Sequence, residues 1–181
     1  MKCLQLILFG ILLSVKLTKL ELRSEENTDT TPIEGYFLCK SCGTDTLIAN
    51  LIINDRISEQ AISISNFTIG EEKKKFIVVQ ELVNPLGLKF KLITTKKAHC
   101  AKNPNSIWYP GGSWFEGFSW KVCQCPSCKA HLGWMFERSE IVARSNPVLP
   151  SDKGFYGIIL DSVISESYAD SLLMLDRVLR H

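Results

Sequence analysis

The chain carries no surplus of charge: 21 basic residues stand against 19 acidic ones, a formal net charge of +2. A nucleic-acid-binding surface needs a clear basic excess, so no nucleic-acid partner is expected. No segment is repetitive or low in complexity, which sets aside solenoids and disordered tracts as the main architecture. No apolar run reaches the roughly 20 residues of a membrane-spanning helix; residues 4–15 come closest and stop short. Histidine is scarce, with only His99, His131 and His181. Without a serine at a nucleophile elbow, these three offer no hydrolytic triad.

The short apolar run is itself informative. Lys2 precedes it and Lys16 and Lys19 close it, the pattern of a secretory signal peptide. Residues 1–18 are read as that signal, with an uncleaved signal anchor as the alternative, and the protein is expected to be secreted, with no membrane span. Cleavage would remove Lys2 and Lys16 and bring basic residues level with the 19 acidic ones. Residues 19–35 are polar and acidic and end at Pro32 and Gly35, the composition of a flexible arm. Asn66-Phe67-Thr68 is the sole N-glycosylation sequon, which makes Asn66 a candidate glycan acceptor.

From Tyr36 onward the chain reads as short strands. Residues 47–53, 61–69, 76–83 and 88–94 are β-branched or aromatic runs bounded by Gly, Pro, Asn and Asp. Ile62, Ile64 and Phe67 sit near-alternately with Ser63 and Ser65, as expected for a half-buried strand. Asn84-Pro85-Leu86-Gly87 marks a turn, and 118–123, 133–137 and 155–159 are further strands. The Lys73-Lys74-Lys75 run decorates a solvated hairpin tip. Leu172, Leu173, Leu175 and Val178 recur at helical spacing within 165–179, predicting a C-terminal amphipathic helix over 166–181.

Seven cysteines require allocation. Cys3 lies in the signal. Cys39-Lys-Ser-Cys42 and Cys125-Pro-Ser-Cys128 are two Cys-x-x-Cys knuckles, together a tetrahedral set of soft ligands that suits structural Zn2+ and leaves no open catalytic position. Disulfides are the competing arrangement in an oxidising compartment, but a bridge inside one knuckle is strained and closes almost no loop. Cys100 and Cys123 remain, and a disulfide between them is the economical allocation, with a redox-active thiol as the alternative.

Trp114, Trp120 and Trp134 crowd around the second knuckle, leaving only Trp108 elsewhere among the four tryptophans. Indoles at glycine-rich turns (Gly111, Gly112, Gly117, Gly133) make walls for a flat or cationic guest, against the plainer alternative of a small core. The stretch SWFEGFSWKVCQCPSCKAHLGWMF resembles the thalidomide-binding domain of cereblon, the CULT domain. Cys39-x-x-Cys42, Val83-Asn84-Pro85-x-Gly87, Cys100 and the closing GFYGIIL (154–160) fall in order with it, so the resemblance spans about residues 36–165.

The resemblance implies a mainly β fold of two antiparallel sheets pinned by the four-cysteine zinc site, a β-tent. It implies a three-tryptophan cage of Trp114, Trp120 and Trp134 over Phe136, approached by Asn84 and Pro85. The guest it implies is a cyclic imide or uracil-like ring, alone or as a modified peptide terminus, read at its edge by backbone around Gly112 and Trp114. A signal directly ahead of the domain is similar to the secreted, stand-alone members, so no ubiquitin-ligase partner is expected. Two positions depart from the family: Gly112 stands where histidine is usual, and Glu116 where proline is common. Glu116 opens a second reading, a quaternary-ammonium cage.

The third reading is an enzyme. Cys125-x-x-Cys128-x-x-His131-Leu132-Gly133 is similar to the second knuckle of methionine-R-sulfoxide reductases, which share the β-tent. Tyr156-Gly157 puts glycine where their nucleophilic thiol belongs, and His131 beside the knuckle reads as a packed histidine. The sequence therefore favours a binding module without catalysis.

Overall fold

The computed structural model describes residues 35–69 and 75–179. The signal peptide (1–18), all of the arm (19–35) but Gly35, Lys73 and Lys74 of the basic tip, and His181 lie outside the described residues. Strands β1 (Tyr36–Cys39), β2 (Asp45–Ile48), β3 (Ser63–Ile69), β4 (Lys75–Val83), β5 (Lys89–Thr95), β6 (Phe118–Gln124), β7 (His131–Arg138), β8 (Phe155–Ile159) and β9 (Val163–Ser165) form two sheets. One has three strands in the order β2-β1-β9, the other six in the order β3-β4-β5-β8-β7-β6, and every pairing is antiparallel. Helices α1 (Ser139–Ser145) and α2 (Glu166–Leu179) complete the regular elements. The fold is mainly β with two antiparallel sheets and a C-terminal helix.

The six-stranded sheet buries both faces at its centre, which is why β8 is buried at every position. On one face Ile77, Ile93, Met135 and Ile158 meet Phe37, Leu47 and Val163 of the small sheet. On the other, Leu82, Leu92 and Ile159 support an aromatic layer of Trp114, Phe115, Phe118, Trp134, Phe136 and Phe155. Phe136 stacks on Phe155 with centroids 5.0 Å apart, and Phe115 turns its edge to both. The Cys100–Cys123 disulfide forms, tying the loop after β5 to β6, and the Ala101 N–H continues that contact on the Gln124 carbonyl.

Three expectations need correction. The strand read over 47–53 ends at Ile48 and turns through a 3-10 segment, Ala49–Leu51. Beyond it the Thr94 and Thr95 hydroxyls donate to the Ile53 and Leu51 carbonyls, so side chains replace part of a regular ladder. β3 is not half-buried: Ile62, Ile64 and Phe67 are all exposed. The apolar face of α2 is likewise unpacked, with Leu172, Leu173, Leu175 and Val178 exposed. Helix α1 was not expected from the sequence, since its seven residues bury no side chain and carry no periodic signal.

Buried side-chain polar atoms are all matched among the described residues. Lys121 lies inside the protein over the Trp108 ring at 4.7 Å and donates to the Pro147 carbonyl; the Trp108 indole N–H donates to the same oxygen. Burial pushes the Lys121 amine below its ordinary pKa. Glu137, fully buried, accepts from the Arg138 and Ser151 N–H groups. Burial and the charge of Glu137 push the Tyr156 hydroxyl up to about 12.

Two glycines set how closely β7 and β8 approach. Gly133 has φ +143°, and a Cβ there would collide with the Gly157 carbonyl oxygen. Gly157 sits opposite Trp134, and its own Cβ would press to 3.1 Å from the Phe136 ring. Gly133→Ala is expected to destabilise the fold by about 3 kcal/mol or more, at the upper end of ordinary point-mutant effects. Gly111→Ala, whose Cβ would meet nothing within 4 Å, should leave the midpoint of chemical denaturation nearly unchanged.

Candidate functional site

The two knuckles meet. Cys39 ends β1 in the small sheet, and Cys125 follows β6 in the large one, so the cluster clips the sheets together. Each turn is closed by its own backbone: the Cys42 and Gly43 N–H groups donate to the Cys39 carbonyl, and the Lys129 N–H to that of Cys125. The Sγ atoms of Cys39 and Cys128 are 3.7 Å apart, those of Cys42 and Cys125 3.6 Å, and all four lie within 4.8 Å of one another. Tetrahedral ligation at a metal–sulfur distance of about 2.3 Å requires sulfur edges of about 3.8 Å. The four thiols therefore fit one thiophilic ion.

The cluster is electrostatically uneven. The Thr44 hydroxyl at 3.2 Å from the Cys42 sulfur, together with the Thr44 backbone, lowers that thiol to about 6. At Cys128 the Ala130 N–H pulls downward, but desolvation and the neighbouring thiols win and raise it to about 12. Cys39 and Cys125 are buried while Cys42 and Cys128 are exposed, so one edge of the site faces water.

The aromatic residues enclose a cavity of about 270 Å³. Trp114, Trp120, Trp134, Phe136, Asn84, Pro85 and Gly112 are all brought together around it, and Leu86 and Ser113 complete the lining. Trp114 and Trp134 meet edge to face, centroids 4.8 Å apart at 81°. The Trp114 indole N–H donates to the Val83 carbonyl at 2.7 Å, and the Trp120 indole N–H to the Gly111 carbonyl at 2.9 Å. These bonds fix both rings before any guest arrives.

The loop carrying Trp114 is braced from behind. Ser58 Oγ donates to the Trp114 carbonyl, and Gln60 Nε2 to the Ser113 carbonyl. Buried Gln80 holds that bracing segment, accepting from the Ser58 N–H and donating to the Arg56 carbonyl. With the Gly111, Ser113 and Trp114 carbonyls engaged, the Gly112 carbonyl and the Trp114 N–H have no partner among the described residues. They are a vacant acceptor and a vacant donor at the cavity's edge.

Asn84 has a structural task as well. Its Oδ1 accepts from the Leu86 and Leu88 N–H groups at 3.0 and 2.9 Å, so it shapes the turn, and only its Nδ2 is left to donate to a guest. Glu116 is exposed and does not line the cavity. His131 packs edge-on against Trp134 at 4.7 Å, its basicity lowered by burial despite a contact with the Gly133 carbonyl. Asn66 lies on β3 and takes no part in the cavity.

Sequence reasoning missed Leu86, Ser113 and the outer support. Tyr109 stacks on Trp120, centroids 4.9 Å apart at 30°, and Phe90 packs its edge on Trp134 at 4.9 Å. The run Tyr109-Pro110-Gly111-Gly112 held a signal for the first, an aromatic one turn ahead of the cage. Nothing local announced Ser58 or Gln60, which reach the site only through tertiary contact.

Metal binding must displace the protons of these thiols. Because Cys42 is ionised above about pH 6, affinity for a thiophilic ion should fall with falling pH throughout and more steeply, by one further proton, below about pH 6. Competition against a chromophoric chelator between about pH 5 and 8 reads this slope; a flat response would exclude thiolate ligation.

No protein-family model matches the chain. Similarity is found to "Protein cereblon" of Danio rerio, 41% identical over 56 residues, and of Xenopus tropicalis, 39% identical over 56 residues. The Gallus gallus cereblon is 39% identical over 54 residues. Each match covers 30% of this chain and 12% of the relative, so the chain spans only a small part of the length of the curated relatives it matches. Over that stretch the chain resembles cereblon.

Proposed function

We propose that this protein is a secreted, zinc-stapled binding module whose tryptophan cage takes a cyclic imide or uracil-like ring and performs no catalysis. One observation carries the reading: three indole walls, two of them held by hydrogen bonds, surround a cavity whose edge includes the Gly112 carbonyl and the Trp114 N–H, both without a partner among the described residues. A flat ring with an N–H beside a C=O matches that pair, while its faces are buried against indole. The metal read here is zinc, because four thiolates in closed tetrahedral array suit that ion, and its role is to hold the sheets. Signal-like residues 1–18 support secretion. A ligase partner is not part of the reading.

A peptide whose end carries a cyclic imide is the second form of the same guest. The mouth is open beside Gly111 and Gly112, where an added Cβ would meet nothing within 4 Å, and the ring's substituent has room to leave there. The other readings have less support. A quaternary-ammonium cage draws its charge from Glu116, which stands outside the cavity lining. Sulfoxide reduction lacks its nucleophile at Gly157, and the space a side chain would occupy there is held by the Phe136 ring.

Titration of tryptophan fluorescence tests the reading, with glutarimide, uracil and tetramethylammonium as probes. Glutarimide is expected to bind, and Trp120→Ala to weaken it about fivefold or more, since one aromatic wall is worth roughly 1–3 kcal/mol. N-methylglutarimide is expected not to bind, because the Gly112 carbonyl would be desolvated without a donor. Equal affinity for the methylated ring would refute edge recognition, and binding of tetramethylammonium alone, lost in Glu116→Gln, would establish the cation cage. Elemental analysis should give one zinc per chain; its absence, with Cys39, Cys42, Cys125 and Cys128 paired in disulfides, would overturn the staple.

A further inference from the structure

The sequon Asn66-Phe67-Thr68, which the cage leaves unused, falls within β3, the outer strand of the six-stranded sheet. Edge strands present unpaired N–H and C=O groups, and proteins guard them with charge, proline, bulges or a covering element. Among the described residues β3 shows none of these. Its sequence, SISNFTI, has no charged residue and no proline, and it pairs with β4 from Ser63↔Glu81 to Ile69↔Lys75 without a register shift. Among the described residues nothing pairs with its outer side. The far side of β4 is treated differently: where β5 stops, the Asn54 side chain completes the ladder, donating to the Phe76 carbonyl and accepting from the Val78 N–H.

Asn66 sits at the centre of an apolar patch. Side chains alternate along a strand, so Asn66 shares a face with Ile62, Ile64 and Thr68. Val78 is its direct cross-strand neighbour, and Phe76, opposite Thr68, its diagonal one. Ile62, Ile64 and Phe76 are 54%, 55% and 48% exposed. A long, uncharged apolar edge of this kind is a template for a second chain. The Asn66 side chain is exposed and has no hydrogen-bond partner among the described residues.

We infer that Asn66 is N-glycosylated and that its glycan is the guard this edge otherwise lacks. The secretory pathway that the proposed function assumes supplies the co-reactant, a lipid-pyrophosphate-linked oligosaccharide. Asn66 Nδ2 displaces the lipid pyrophosphate from C1 of the sugar, forms the N-glycosidic bond and gives up one proton. The oligosaccharide then rises from the middle of the Ile62, Ile64 and Phe76 patch and keeps a second β3 from aligning. It stands apart from the cage, so binding of a guest is unaffected.

The test uses the full chain expressed in a secreting eukaryotic cell. Peptide mapping of protein from the medium should show Asn66 carrying a glycan; a bare Asn66 in the medium, or a chain retained without sugar, overturns the inference. Thr68→Ala removes the sequon without adding charge and is expected at least to double the weight-average mass in light scattering. Ile64→Lys added to Thr68→Ala should return that mass to the monomer by charging the edge. Should Thr68→Ala fail to fold, trimming the folded glycoprotein to a single sugar with an endoglycosidase gives the same readout. Persistence of the monomer after glycan loss refutes the guarding role, and glutarimide titration of the same samples reports separately on the cage.

Discussion

The register of β6 against β7 is the constraint on which the rest of this structure depends. One hairpin sets Trp120 opposite Phe136, Val122 opposite Trp134 and Cys123 opposite Gly133. Two cage walls and the cavity floor therefore share the face that receives Trp114, while the disulfide cysteine turns to the opposite face. The connection between the two strands carries Cys125 and Cys128, so the same hairpin delivers half of the cysteine cluster. Strand periodicity is two, and a slip of one residue would move every side chain to the other face. Trp120 and Trp134 would then enter the inter-sheet core, and Lys121 and Glu137 would be aimed at the aromatic layer without the Pro147, Arg138 and Ser151 partners that match them now. Register is thus specified from both faces, by indoles on one and by satisfied buried charge on the other.

Two of the three cage indoles are held in place by hydrogen bonds. Both the Trp114 and Trp120 indole N–H groups are bonded to backbone carbonyls, and Ser58 and Gln60 hold the carbonyls of Trp114 and Ser113 from below. Ordering these rings in the free protein removes a cost that binding would otherwise incur. The Gly112 carbonyl and the Trp114 N–H are among the backbone groups that remain unmatched. This arrangement favours recognition over chemistry: His131 is packed and desolvated, Glu137 is occupied by two N–H groups, and Lys121 is held by Trp108 and Pro147.

Much of this was legible in the sequence, and what was not shares a physical cause. The two knuckles announce themselves because metal ligation demands a fixed local spacing, and the central strands because their β-branched and aromatic residues serve a doubly buried sheet. The tryptophans and glycines around the second knuckle carried the cage. Exposure was not legible at β3 or α2: their apolar spacing is that of packed elements, but whether a second layer exists depends on distant parts of the chain. Lys121 reads as an ordinary outward-facing residue, and only the Trp108 ring and the loop around Pro147, far apart in sequence, make its burial tolerable. The bracing residues Ser58, Gln60 and Gln80 are short-range silent for the same reason.

The departures from the cereblon-like pattern bear on selectivity in a definite way. Because the unpartnered edge groups belong to the backbone, replacing the side chain at Glu116 leaves them in place and changes only what surrounds them. Gly112 adopts φ +68°, the left-handed region that glycine enters without strain, and this turn is what leaves its carbonyl uncommitted while the flanking Gly111 and Ser113 carbonyls are used. A bulkier residue there would have to bear that backbone conformation, so glycine secures the edge geometry while giving up a side-chain contact. The turn therefore fixes the polar edge of the cavity, while its width is set by the open mouth and by Leu86, the 83% exposed residue at its rim.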